Sequence, residues 1–226
     1  MKFFAVIVAG GSGVRMNAPL PKQFLLLNGK PVLMHTLSAF ASSPQKPEII
    51  VVLNEQYFFL WKQLCEEHGF STPHTLVAGG KTRFHSVKEA LAIIIEDAVI
   101  AVHDAVRPLI STAIISKAYE QALAHGNAVV AVPSKDSVRL QKADGVSQHV
   151  NRSEVFLVQT PQTFQSAIIK KAYGQQYTEE FTDDASVVER SGVQIHLLNG
   201  DPDNFKITFP SDLKIAELIL NERGRF

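Results

Sequence analysis

Short apolar runs alternate along this chain with longer segments in which apolar residues recur at helical spacing. The short runs are predicted strands at residues 3–9, 48–53, 98–103 and 128–132. The helical patterns lie around residues 32–40, 86–96, 113–125 and 212–221. This alternation predicts an α/β fold with a mainly parallel, twisted sheet and helices on both of its faces.

Two of the helical segments carry apolar stripes that predict core positions. The stripes consist of Val87, Leu91 and Ile94 in one segment, and of Leu213, Ala216 and Leu220 in the other. With 46% hydrophobic residues, the 226-residue chain can bury a full core. No internal repeat or low-complexity linker divides it, so residues 1–226 are expected to form a single domain.

One stretch interrupts the alternation and predicts a β-hairpin. Residues 137–140 and 146–150 are strand-like, and an Asp144-Gly145 turn lies between them. A two-stranded hairpin is marginal unless it packs on something. Residues 134–156 are therefore expected to form an arm that packs against a further surface; the alternative is that the hairpin folds back on its own domain.

A glycine-rich loop follows the first predicted strand. Gly10, Gly11 and Gly13 lack the Cβ atoms that would hold a polyphosphate away from the backbone N–H groups, while Arg15 and Lys22 can place positive charge on its oxygens. The loop differs from a P-loop and from a dinucleotide fingerprint, because it lacks Gly-Lys-Ser/Thr and a third glycine at the required place. We expect a nucleotide-phosphate site; the alternative is a tight turn with two solvated cations.

A carboxylate ends another predicted strand. Asp104 lies within the sequence HDAVRP at 103–108 and can hold Mg²⁺ against nucleotide phosphates. The alternative is a helix cap or turn before Pro108. The pair Asp183-Asp184 resembles a metal pair too, but its context favours the start of a helix. The eight histidines show no zinc-ligand spacing, so His103 is expected to be structural.

Charge and cysteine content exclude several classes of function. The chain has 22 Lys plus Arg residues and 22 Asp plus Glu residues, so it has no net charge that would attract nucleic acid or an anionic membrane. No apolar run approaches the length of a membrane span. The single Cys65 permits no internal disulfide, and we expect a structural thiol in a cytoplasmic protein.

The glycine loop, with Arg15-Met16 and Pro21-Lys22-Gln23, resembles the opening motif of the nucleotidyltransferases that activate sugars and polyols. Further matches follow in order at 78–80, 83, 86–87, 103–108, 133–137, 151–152, 159–164, 182–185 and 204–208. Together they resemble the 2-C-methyl-D-erythritol 4-phosphate cytidylyltransferase family across nearly the whole chain. The resemblance implies a Rossmann-like fold, a homodimer joined through the hairpin arm, and a Mg²⁺-dependent reaction of CTP with a polyol phosphate in the non-mevalonate isoprenoid pathway.

The resemblance also implies roles for individual residues. The expected triphosphate and cytosine sites consist of Ala9, Gly10, Gly11 and Gly13, and of Gly79, Gly80 and Ser86, respectively. The expected polyol-phosphate ligands are Arg107, Ser137, Arg152, Thr160 and Thr182, with Ser137 and Arg152 coming from the partner's arm. Gly10 and Ser137 depart from the family pattern, in which alanine and threonine are commoner.

The expected chemistry needs no general base, because a substrate phosphate is already an anionic nucleophile at pH 7. Its oxygen attacks the α-phosphorus of CTP and expels pyrophosphate, so catalysis consists of positioning and charge stabilisation. Arg15, Lys22, Lys206 and Mg²⁺ on Asp104 are assigned to that task; without the resemblance, Lys206 is an ordinary surface lysine. The alternatives are a ribitol 5-phosphate cytidylyltransferase, a non-catalytic nucleotide sensor and a nucleic-acid-binding domain, the last disfavoured by the balanced charge.

Overall fold

The computed structural model describes residues 1–11 and 20–224 of the chain. Its strands in these ranges are β1 Lys2–Val8, β2 Leu26–Leu27, β3 Lys30–Pro31, β4 Glu48–Leu53, β5 Thr75–Ala78, β6 Ala98–Asp104, β7 Asn127–Pro133, β8 Val138–Gln141, β9 Ser147–Val150, β10 Phe156–Gln165 and β11 Leu197–Asn199. Its α-helices are α1 Val32–Ala41, α2 Phe58–Glu67, α3 Arg83–Ile93, α4 Thr112–His125, α5 Ser166–Ala172, α6 Asp184–Arg190 and α7 Pro210–Arg223.

Seven of the strands form one twisted sheet in the order β11-β7-β10-β6-β1-β4-β5. Neighbouring strands are parallel, except that β10 runs antiparallel to both β6 and β7. The predicted strands correspond to β1, β4, β6 and β7, and the expectation of a mainly parallel sheet is confirmed. Because β1 and β6 lie at the centre, the loops that follow them open at the middle of one sheet edge.

The sheet buries both of its faces. In β1, Ala5 and Ile7 belong to one apolar cluster, which helices α1, α2 and α4 cover. Phe4 and Val6 point to the other face, where α3, α5 and α6 complete a second cluster. This double burial explains why β1 is an unbroken apolar run rather than an alternating one.

The predicted apolar stripes are core residues, to different degrees. Val87, Leu91 and Ile94 are at most 5% exposed. In α7, Ala216 is fully buried, whereas Leu213 and Leu220 are partly buried and pack against a third, smaller cluster. Among the described helices, none is long and apolar enough to cross a membrane.

The predicted hairpin is present as β8 and β9. Its strands pair antiparallel from Val138 opposite Val150 to Gln141 opposite Ser147, and Gly145 adopts the positive φ of 84° that the turn requires. Leu140 and Val146 are 61% and 59% exposed. The alternative in which the hairpin folds back to bury these side chains on its own domain is therefore not what the structure adopts.

Candidate active site

The carboxyl ends of neighbouring parallel strands bring the candidate residues together. Val8 at the end of β1 lies opposite Asp104 at the end of β6, and Leu53 at the end of β4 lies opposite Ala78 at the end of β5. Ligands of open α/β sheets bind outside such ends. A cleft of about 430 Å³ opens there.

Most of the predicted site residues that the structure describes line this cleft. They are Ala9, Gly10, Gly11, Lys22, Gly80, Ser86, Asp104 and Lys206. Residues that received no role from the sequence line it as well: Val8, Gln23, Lys81, Thr82, Arg83, Val106 and Thr208. The predicted residues Gly13 and Arg15 lie outside the described residues.

One wall of the cleft is a glycine turn held by the start of α3. The Ser86 hydroxyl accepts a hydrogen bond from the Gly80 N–H at 3.1 Å and donates to the Thr82 carbonyl at 3.0 Å. A Cβ atom on Gly80 would lie 2.4 Å from the Cβ of His85, a distance that such atoms do not tolerate. Gly79 begins this turn and is fixed by its N–H, which donates to the Leu53 carbonyl at 2.9 Å. The turn thus presents backbone groups rather than side chains to the cleft.

The opposite wall carries Lys22, which is 9% exposed. Its ammonium group donates to the Ile207 carbonyl at 2.9 Å, and the neighbouring Gln23 amide donates to the Ala9 carbonyl at 2.7 Å. These bonds tie the segment at 22–23 both to the glycine loop after β1 and to the segment that carries Lys206. A buried ammonium is therefore held in one place beside the cleft.

The floor of the cleft is Asp104, surrounded by three cations. Its carboxylate lies 3.0 Å from the Lys206 ammonium, 3.4 Å from Arg107 Nε and 3.6 Å from Arg83 Nε. Burial alone would raise the pKa of Asp104, but Arg83, Lys206 and Arg107 together hold it well below its usual value. Arg83 is also paired with Asp184, so two carboxylates face three cations here. The floor keeps a positive balance, which suits a polyanionic ligand.

Arg83 is also paired on its other side, with Asp184 at the start of α6. The guanidinium donates to both carboxylate oxygens, at 2.9 and 2.6 Å, and the Tyr173 hydroxyl donates to the same carboxylate at 2.6 Å. Asp184 is fully buried. The sequence analysis assigned no role to Arg83. One feature of the sequence could have indicated its partner: the helix dipole disfavours a cation in the first turn of a helix unless a carboxylate lies nearby.

The predicted helix start at 183–184 is confirmed. Asp183 caps α6: its carboxylate accepts from the Ser186 N–H at 2.8 Å, and the Ser186 hydroxyl completes the capping box. The Gln162 amide of β10 donates to Asp183 at 2.8 Å and accepts from the Ala185 N–H at 2.7 Å. These contacts fix the segment that carries Thr182 against β10.

Thr160 and Arg107 lie directly beside the cleft floor. The Thr160 hydroxyl accepts the Asp104 N–H at 3.0 Å, and Arg107 donates to the Asn204 carbonyl at 2.8 Å. Asn204 donates in turn to the Thr160 carbonyl at 2.9 Å. Two of the predicted polyol-phosphate ligands are thus joined to Asp104.

Ser137 and Arg152 lie elsewhere, on the exposed arm. Arg152 donates to the Lys135 carbonyl at 3.1 Å, so it is close to the base of the hairpin. Neither residue belongs to the described lining of the cleft in its own chain.

A mainly parallel sheet whose carboxyl edge carries a cleft of glycines and cations is typical of an enzyme that binds nucleotide phosphates. The family model described as "IspD: 2-C-methyl-D-erythritol 4-phosphate cytidylyltransferase" matches residues 3–222. The chain belongs to this family.

Individual relatives agree with the family match. The 2-C-methyl-D-erythritol 4-phosphate cytidylyltransferase of Bacteroides thetaiotaomicron is 49% identical over 220 residues, which cover 97% of this chain and 100% of that protein. The 4-diphosphocytidyl-2C-methyl-D-erythritol synthase structure from Anaerococcus prevotii superimposes with a TM-score of 0.84 at 27% identity, covering 97% of this chain and 96% of that one. The bifunctional IspDF of Campylobacter jejuni gives a TM-score of 0.79 at 27% identity, covering 95% of this chain and 54% of that one.

Proposed function

We propose that this cleft is where the phosphate of 2-C-methyl-D-erythritol 4-phosphate attacks the α-phosphorus of CTP. A new P–O bond forms to the attacking oxygen, the bond to the bridging oxygen of the β-phosphate breaks, and pyrophosphate leaves. The product is 4-diphosphocytidyl-2-C-methyl-D-erythritol. The observation that carries the proposal is the set of cations around the cleft floor, in a chain of this family. The ribitol 5-phosphate alternative is not favoured, because the family match names methylerythritol phosphate.

The triphosphate is proposed to lie along the loop after β1, next to Lys22. The exposed Gly10 and Gly11 supply backbone N–H groups without side chains in the way, and space is open around Gly11. Ala9 follows the end of β1 beneath them, and Gly13 and Arg15 are proposed to bind the same triphosphate. Fixed positive charge at this place lowers the cost of bringing two anions together and stabilises charge that develops at phosphorus.

The cytosine base is proposed to lie against the turn at Gly79 and Gly80. Ser86 already uses its hydroxyl to accept from one backbone N–H and to donate to one carbonyl. It therefore acts mainly by shaping the turn. Because the N–H groups of Gly79 and Gly80 are bonded to Leu53 and Ser86, the carbonyl oxygens of the turn are proposed to accept from the amino group of cytosine.

Mg²⁺ is proposed to bind between Asp104 and the CTP phosphates. The described residues contain no group of three or more His, Cys, Asp or Glu side chains that could hold a metal ion alone. One buried carboxylate fits an ion that arrives with the nucleotide, because Mg²⁺ commonly takes one or two carboxylates together with substrate phosphates and water. When bound, the ion neutralises phosphate charge. Lys206, 3.0 Å from the same carboxylate, is oriented by Asp104.

The polyol phosphate is proposed to bind between Arg107, Thr160 and Thr182 of one chain and Ser137 and Arg152 of a partner. The exposed arm supports this homodimer, since Leu140 and Val146 stay uncovered within one chain. An arm exchanged between two copies would bring both missing ligands to each cleft.

Complementation between two inactive variants tests the shared site. Lys22→Ala and Arg152→Ala are each expected to reduce turnover of CTP by roughly a hundredfold or more. In a mixed dimer, one site carries both substitutions and the other carries neither. After an equal mixture is unfolded and refolded, half of the dimers are mixed, and roughly a quarter of all sites should regain activity by the symmetry of an isologous dimer. If activity stays at the level of the separate variants despite subunit exchange shown by mass spectrometry, Arg152 serves its own chain.

A further inference from the structure

His103 is a fully buried imidazole next to Asp104 at the end of β6. One side of its ring packs against Phe40, with ring centroids 5.0 Å apart. Both ring nitrogens have partners: Nδ1 lies 3.0 Å from the Thr160 hydroxyl oxygen, and Nε2 lies 3.2 Å from the Arg107 carbonyl oxygen. The two bonds hold the ring in one orientation.

The Arg107 carbonyl fixes one hydrogen of the His103 ring. A carbonyl can only accept, so Nε2 carries a hydrogen and donates it to Arg107. Nδ1 bonds the Thr160 hydroxyl on the other side of the ring.

The Thr160 hydroxyl is in turn held from two directions. It bonds His103 Nδ1 and accepts the Asp104 N–H, each at 3.0 Å. The same imidazole holds the Arg107 backbone, so one ring fixes two residues that flank the cleft floor.

We propose that His103, which donates from Nε2 to the Arg107 carbonyl, is a positioning residue of the polyol-phosphate site. It sets the orientation of the Thr160 hydroxyl and the location of the Arg107 backbone, and it acts on the reaction only through them. This inference rests on the proposed function, because Arg107 and Thr160 are there assigned to the polyol phosphate.

Two substitutions separate the two hydrogen bonds. His103→Asn keeps a polar group near the place of Nδ1 but loses the donor to Arg107. His103→Gln keeps a donor near the place of Nε2 but loses the group that bonds Thr160. Each is expected to raise the KM for 2-C-methyl-D-erythritol 4-phosphate at least about tenfold and to change the KM for CTP less than about threefold, because small displacements of positioning groups are costly. The matched control is His35→Gln: His35 bonds the Leu27 carbonyl at 2.7 Å, away from the described cleft lining, and neither KM should change.

Two results would overturn the inference. The first is a fall in melting temperature and kcat for both His103 variants with both KM values unchanged, which is the behaviour of a purely structural residue. The second is an Nδ1–H tautomer in the ¹⁵N NMR spectrum of the wild-type protein, with the signal assigned by its loss in His103→Asn. Arg107→Lys distinguishes failure of the inference about His103 from failure of the proposed function. If the Arg107→Lys variant has a normal KM for the polyol phosphate while the wild-type protein shows the Nε2–H tautomer, the assignment of Arg107 to the substrate is wrong.

Discussion

The buried pair between Arg83 and Asp184 should make Asp184→Asn one of the more destabilising single substitutions in this chain. The wild-type carboxylate is fully buried and accepts three hydrogen bonds, two of them from the Arg83 guanidinium. An asparagine of nearly the same shape removes the negative charge and turns an N–H₂ group toward a cationic donor. The Arg83 guanidinium is then left with Asp104 as its carboxylate neighbour among the described residues, at a distance of 3.6 Å.

Breaking a fully buried ion pair by removing one partner costs about 3–5 kcal/mol, which is an upper bound here because the Arg83 side chain is 26% exposed. For a domain of this size, such a loss lowers the melting temperature by up to roughly 20 °C. Because native domains have a free energy of unfolding of about 5–15 kcal/mol, the variant should still fold at room temperature. Urea unfolding followed by circular dichroism measures the difference directly.

The neighbouring aspartate provides a matched control. Asp183 caps α6, and asparagine caps a helix about as well as aspartate does. Asp183→Asn loses its bond from the Gln162 amide and should cost at most about 1.5 kcal/mol. If Asp184→Asn is no more destabilising than Asp183→Asn, the buried pair does not stabilise the fold as argued.

Three further predictions concern other parts of the molecule. Gly80→Ala should raise the KM for CTP, because a Cβ at position 80 would lie 2.4 Å from His85 Cβ, whereas Gly224→Ala, with its nearest contact at 3.5 Å, should leave this KM unchanged; equal KM values would contradict this. Burial raises the pKa of Cys65 to about 11. At pH 8, iodoacetamide should therefore alkylate Cys65 in the folded protein roughly a hundredfold more slowly than in protein unfolded by urea. Equal rates would show that the thiolate is accessible in the folded protein. The pKa of Asp104 is lower in the folded than in the unfolded protein. The ionised carboxylate therefore stabilises the fold fully above about pH 4, and this contribution is lost below that pH. In metal-free protein, Asp104→Asn should flatten the dependence of the free energy of unfolding on pH in that range, and an unchanged dependence would contradict the account.

The sheet could be predicted from the sequence where burial on both faces makes a strand an unbroken apolar run. β1 and β4 are such runs, and the predicted bounds are close to those observed. β10 was missed because its second half, QTPQTFQ, is polar although largely buried. Gln159, Thr160 and Gln162 are buried because they bond loops around the cleft. That reason is not visible in a local pattern.

Some parts of the candidate site could be predicted from the sequence, and others could not. The glycine loop after β1 and Asp104 could be located because each follows a recognisable strand. Motif resemblance supplied Gly79, Gly80 and Lys206. The pair of Arg83 with Asp184 spans 101 positions in the chain and leaves no periodic signal. Likewise, the bond between His103 and Thr160 depends on a strand, β10, that the pattern did not reveal.

Pyrophosphate release from CTP tests the central claim most directly. The purified protein is assayed with Mg²⁺ and either 2-C-methyl-D-erythritol 4-phosphate or ribitol 5-phosphate, and kcat/KM is compared under identical conditions. The account predicts clear preference for methylerythritol phosphate, since the site must reject a longer chain with a different hydroxyl pattern. Equal or faster turnover of ribitol 5-phosphate, or no pyrophosphate with either substrate, would contradict it.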